Sequence, residues 1–218
     1  MAVTAQELLD QVAAEVRVCT KCELCKGTKN GVPGEGSAAS EVLFIGEGPG
    51  FNEDRLGRPF VGQAGHLLDK MIASIGMRRP DVFITNVVKH RPPDNRDPLP
   101  SEITACADYL DRQIAALNPK VIVTLGRFSM ARYFPGAKIS AIHGQARQID
   151  GRIVVAMFHP AAALRTPVVM KQFEDDFQRA IPAALAEARS LAARGKPGAT
   201  SGKTDEDENK PPEQLSLF

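Results

Sequence analysis

The chain has 218 residues, 43% hydrophobic and 24% charged, the balance of one soluble globular domain and not of a disordered or fibrous protein. Its net charge of +1 divides into about +3 over residues 1–194 and −2 over residues 195–218, so no strongly acidic or basic partner follows from the sum. No apolar run approaches the ~18 residues that cross a bilayer, and MAVTAQELLD lacks the basic-then-apolar pattern of a signal peptide. Four cysteines are too few for a disulfide framework, so a reduced, cytoplasmic setting with metal or redox thiols is expected.

In chain order, Thr4 to Val18 carries a helical stripe (Leu8, Leu9, Val12, Val16), and Thr4 with Glu7 has the spacing of a capping box. Four short apolar runs follow at Glu41–Gly46, Val82–Val88, Lys120–Gly126 and Ile153–Phe158, each with the look of a strand buried on both faces. Helical patterns lie between them at about Gln63–Ile75, Ser101–Leu117 and Arg127–Tyr133, and a last one runs from Val168 to Ala193. Ser101 with Glu102 and Thr104 reads as the start of the second. The alternation predicts a three-layer α/β/α sandwich around a mainly four-stranded parallel sheet. Ligands gather at the carboxyl ends of such strands, where GEGPG (46–50), Asn86 with the HRPPDNRDP loop, and His159-Pro160 fall. From Gly195 the chain is too polar to bury a core and is expected to be disordered, the domain being residues 1–194.

Cys19-Thr-Lys-Cys22 is a CxxC, with Cys25 and Cys106 as further thiols. A redox dithiol should follow a strand and open a helix; this pair follows a helix and enters a Gly-rich loop, which favours metal. Zinc and an iron–sulfur cluster both fit the spacing, and His90 lies on the segment leading to Cys106. GEGPG lacks the Lys-Ser/Thr of a phosphate loop, but its missing Cβ atoms let backbone approach a planar ligand. Phe60, in a rigid GRPFVG loop, suits stacking on a base, and Asn86 offers a donor and an acceptor side by side, as a pyrimidine edge requires. Lys89, Arg91, Arg96, Arg127, Arg132 and Arg165 could form a phosphate-binding rim if they cluster.

Taken together, Cys19-x-x-Cys22, GEGPG with Glu53-Asp54, GRPFVGQAG (57–65), ITNVVK (84–89), RPPDNRDP (91–98), Cys106, VTLG (123–126) and HPAAALR (159–165) resemble the family 4, iron–sulfur uracil-DNA glycosylases. The resemblance spans about residues 16–190. It implies a DNA-repair hydrolase of deoxyuridine that releases free uracil and leaves an abasic site, acting on single- or double-stranded DNA. By the same resemblance Gly46, Glu47 and Gly48 line the uracil pocket, Phe60 stacks on the base, Asn86 reads its edge and His159 faces its O2. No matched position holds a Lys for a Schiff base, so strand nicking is not expected. The implied cofactor is a 4Fe-4S cluster on Cys19, Cys22, His90 and Cys106.

Two positions depart from the family pattern. A Cys is usual where this chain has His90, so either His90 ligates iron, the preferred reading, or Cys25 does. Ala163, with Leu164 beside it, stands where relatives place the leucine pushed into the duplex. The best-studied branch of the superfamily has an Asp at the place of Gly48, so activation of water falls to Glu47 or a backbone carbonyl. A sister branch that becomes covalently trapped on its product resembles VKH (88–90), but its Lys/Arg-rich insertion is missing between His90 and Cys106; trapping is the alternative function. The terminal Gln214-Leu215-Ser216-Leu217-Phe218 resembles the peptide by which bacterial repair proteins dock on the sliding clamp, with Gln214, Leu215, Leu217 and Phe218 as its anchors. A monomer working on the nucleoid is expected.

Overall fold

A computed structural model of the chain describes residues 3–194. The terminal pentapeptide and its clamp-docking reading therefore lie outside the described residues. The strands are β1 (Glu35–Gly36), β2 (Val42–Gly46), β3 (Phe83–Asn86), β4 (Val121–Leu125), β5 (Ala146–Ile149) and β6 (Arg152–Met157). The α-helices are α1 (Ala5–Arg17), α2 (Phe51–Leu56), α3 (Gln63–Ser74), α4 (Pro100–Leu117), α5 (Arg127–Ala131), α6 (Ile139–Ile142), α7 (Pro160–Ala163) and α8 (Pro167–Arg194).

One six-stranded sheet has the order β1-β3-β2-β4-β6-β5. The inner four strands are parallel and are the four predicted from the sequence; β1 and β5 add antiparallel edges. Alternate residues of the inner strands feed two cores. Val42, Phe44, Ile84, Val123 and Val155 pack against α3 and α8 on one face. Leu43, Ile45, Phe83, Ile122 and Val154 meet α4 and the segment beyond α5 on the other. This two-sided burial explains the unbroken apolar runs. The edge strands left no such signal: β1 has two residues, and β5 is almost wholly exposed with no apolar face.

Helix starts follow local chemistry. Thr4 caps α1 as expected, its hydroxyl accepting from the Glu7 N–H while the Glu7 carboxylate accepts from the Thr4 N–H. The start of α4 corrects the Ser101 reading: Leu99 is the cap residue, Pro100 opens the helix, and the Glu102 carboxylate reaches back to the Leu99 N–H at 2.7 Å. Glu102 is buried and also holds Arg96 through two bonds of 2.7 and 2.9 Å. From β2 the chain passes outward to β3, then crosses back over β2 to reach β4. The strand order thus reverses at β2, which opens a crevice at the carboxyl edge of the sheet.

Candidate active site

A cavity of about 640 Å³ occupies that crevice, lined among others by Glu47, Phe60, Asn86, Gly126, Phe158 and His159. Gly46 and Asn86 end neighbouring strands and pair in register. A Cβ on Gly46 would stand 2.3 Å from Asn86 Oδ1 and 2.5 Å from the Phe60 ring, so only glycine leaves the cavity floor open. Asn86 is 1% exposed, and its Oδ1 is buried without a hydrogen-bond partner. Such an atom is rare in native proteins and marks a place where a ligand donor fits.

Phe60 holds a left-handed φ of 49°, costly for an aromatic residue by ~1–3 kcal/mol, and the surroundings enforce it. Glu53 Oε1 accepts from the Val61 and Gly62 N–H groups at 2.8 and 2.9 Å, while its Oε2 accepts from the Gly50 N–H at 3.1 Å. Arg79 donates to the Pro59 and Phe60 carbonyls. The Phe60 ring is thereby presented to His159, centroids 5.6 Å apart and planes 29° from parallel.

His159 caps α7, its Nδ1 accepting from the Ala161 N–H at 3.1 Å. Burial draws its pKa down to about 4, with Glu53 opposing and Arg165 assisting, so the ring is neutral at pH 7. A neutral ring that accepts at Nδ1 carries its proton on Nε2. Gly126 makes room for it: φ is +90° there, and an added Cβ would crowd the His159 Cβ at 3.1 Å. Burial also pushes the half-buried Glu47 carboxyl up, Asp97 adding to the effect and Arg127 opposing it.

The expected basic rim is partly assembled. Arg96, Arg127 and Arg165 line the cavity, and Arg91 lies over the exposed Phe51 ring beside it. Arg132 pairs with Asp111 and does not line the cavity. Lys89 does not belong to the rim: it is 0% exposed, and its Nζ donates to Thr85 Oγ1, the Asn86 carbonyl and Gln113 Oε1, each at 2.8 Å. Burial draws its pKa down to about 7, with Cys106 opposing. Ala163 is buried at 1%, whereas Leu164 beside it is 45% exposed.

A second cavity, about 240 Å³, is lined by Cys19, Cys25, Asn30, Gly31 and His90 among others, with Cys22 and Cys106 outside its wall. His90 is 4% exposed, and its Nδ1 is buried without a partner, the mark of an imidazole suited to a metal. Burial pushes the Cys22 and Cys106 thiols up, and Cys19 adds to both. A cationic iron centre reverses that tendency and takes thiolates outright, so this donor set fits the implied group. Among the described residues no three His, Cys, Asp or Glu side chains gather closely enough for a single metal ion. The ligands of a polynuclear cluster stand wider apart.

Sequence reasoning gave no role to Glu53, although it quoted the residue, and it misplaced Lys89. A clue to Lys89 was available: it closes an apolar strand run, where a lone charge has no water to face.

The doubly wound sheet brings Gly46, Asn86 and His159 to one carboxyl edge, and the family model "Uracil DNA glycosylase superfamily" matches residues 33–184. The chain belongs to that superfamily. Within it the chain is similar to the "Type-4 uracil-DNA glycosylase" of Archaeoglobus fulgidus, 47% identical over 182 residues, which covers 79% of this chain and 92% of that protein. The protein of the same description from Saccharolobus solfataricus is 50% identical over 78% of this chain and 84% of its own length. That of Thermotoga maritima is 45% identical over 74% and 86%.

Proposed function

We propose that the protein is a DNA-repair glycosylase of the type-4 kind, hydrolysing the N-glycosidic bond of deoxyuridine to release uracil and leave an abasic site. The observation that carries this reading is Asn86 Oδ1, buried and unpartnered between Gly46 and Phe60 with the His159 ring nearby. The target nucleotide must leave the base stack to reach it. Phe60 takes the face of the base, Asn86 Oδ1 accepts from uracil N3–H, and Asn86 Nδ2 donates to O4. Cytosine offers the opposite pattern and would leave buried groups unpaired, a penalty that reaches ~10⁴-fold in sites of this type.

As the bond breaks, its electron pair leaves with uracil. Neutral His159 donates from Nε2–H toward O2 of the departing anion, worth ~3 kcal/mol in comparable sites. Water adds its oxygen to C1′ and gives its proton to Glu47, whose carboxylate burial makes a stronger base. Cys19, Cys22, Cys106 and His90 are the residues that would hold a 4Fe-4S cluster, with Cys25 the alternative to His90. That group supplies a tie between the end of α1, segment 86–90 and α4.

The rim arginines and Leu164 face DNA, and Gln214, Leu215, Leu217 and Phe218 would dock on the sliding clamp with micromolar affinity. No helix among the described residues is long and apolar enough to cross a membrane, and we place the protein on the nucleoid as a monomer. The test is a uracil-containing oligonucleotide: free uracil and an alkali-labile site are expected. A protein–DNA band that survives denaturing electrophoresis would replace this reading with covalent trapping.

A further inference from the structure

Among the described residues Lys89 is the one buried lysine or arginine, and the proposed reaction leaves it unused. Its three partners are all acceptors. Thr85 Oγ1 spends its proton on the Pro33 carbonyl at 2.9 Å, Gln113 donates through Nε2 to the same carbonyl at 2.6 Å, and the third partner is the Asn86 carbonyl itself. The ammonium therefore joins β3, α4 and the segment at Pro33 at one point. It grips the main chain of the residue that reads the base.

The neighbouring main chain is held from outside. The Val87 and Val88 N–H groups donate to the Gly46 and Glu47 carbonyls at 3.1 and 3.0 Å, which lays this segment along the cavity floor. The Lys89 carbonyl accepts from the Val32 N–H at 2.7 Å. The Asn86–Val87 peptide plane is thus held at both ends, its N–H by the Gly46 carbonyl and its C=O by the Lys89 ammonium. Asn86 has no side-chain bond to fix its carboxamide: its Oδ1 is unpartnered. Aim has to come from the backbone.

We propose that Lys89 is a positioning residue for uracil recognition, acting through the Asn86 carbonyl to hold the Asn86 carboxamide at the angle the base edge requires. This rests on the reading of Asn86 as the group that recognises uracil. It assigns a selectivity role to a side chain that never meets substrate.

The test uses the intact protein and free uracil as a competitive probe, with an abasic-site duplex as control for DNA binding. Lys89→Met should raise the inhibition constant for uracil about tenfold, in keeping with the cost of a small misalignment, and leave affinity for the abasic duplex unchanged. Thr85→Val removes one of the three acceptors with little change of shape and should give a smaller rise, which Thr85→Ser restores. It carries the test if Lys89→Met does not fold. Lys89→Met combined with Asn86→Ala should bind uracil no worse than Asn86→Ala alone, since both act through one contact. Lowered melting temperature with an unchanged inhibition constant in Lys89→Met and Thr85→Val, or additive effects in the double variant, would overturn the proposal and leave the Asn86 reading standing. An Asn86→Ala protein that binds uracil normally would overturn both.

Discussion

The two cavities are built on opposite terms although one five-residue segment, 86–90, serves both. Each contains a buried polar atom with no partner, Asn86 Oδ1 in the larger and His90 Nδ1 in the smaller. Around Asn86 the neighbours are fixed by main-chain chemistry: a strand register, a glycine that alone fits, a carboxylate gripping three N–H groups. Around His90 the cavity wall carries the Cys19 and Cys25 thiols, Cys106 stands in the body of α4, and α4 is tied to α1 by Arg112, which donates twice to Glu15 at 2.6 and 2.7 Å. The first is preorganised by the fold. In the second the donors come from separate stretches, which a bound cluster would tie together.

The largest effect should come from the second cavity. Cys106→Ala is expected to lose iron and soluble protein together, measured by iron content and yield, since binding energy of a structural metal group is folding energy. Retained stability without iron would make the two cavities alike. His159→Ala should do the reverse, slowing single-turnover excision ~10²–10³-fold with iron content and melting temperature unchanged. Gly46→Ala should cost ~10²-fold in the same assay, because the new methyl group has to displace Asn86 or Phe60.

The smaller effects sharpen the contrast. His90→Cys should keep iron and excision within about twofold, whereas a stable, colourless His90→Ala protein would identify the imidazole as ligand; full iron content in that variant would point to Cys25. In pH profiles the His159 limb should appear only near pH 4, because burial keeps the ring neutral above that value. The sign for stability follows. Between an ordinary histidine value of ~6.5 and about 4 the unfolded chain binds the extra proton, so His159 makes the fold less stable as pH falls through that window. A rate profile breaking near pH 6.5, and abolished in His159→Ala, would contradict the neutral ring.

Much of the architecture could be read from the sequence because its signals are local. Four apolar runs mark the inner strands, and GEGPG, Asn86 and His159 lie at or just beyond the ends of three of them, which puts them at carboxyl ends. What escaped reading depended on contacts across the fold. Glu53 matters through N–H groups at residues 50, 61 and 62, and no spacing rule joins these. Lys89 looked like a surface base because its three acceptors come from β3 and α4. Ser101 lost the helix start to a buried Glu102 that answers two needs, an N–H and an arginine. Ala163 and Leu164 could be told apart only by which way a four-residue helix turns.

The turn at 93–95 has a practical consequence for redesign. Its three residues are exposed, Asp94 and Asn95 sit at φ near +50°, and Asn95 stands at the mouth of the larger cavity. Segment 86–90 immediately before it cannot change length, since one inserted residue would swing His90 away from the thiols while Asn86 stayed in register. Beyond Pro92 the chain carries no such constraint until Arg96 closes on Glu102. An insertion between Pro93 and Asp94 can therefore extend this loop with Asn95 and both cavities kept intact. Exposed loop tips of this kind are where chains accept insertions.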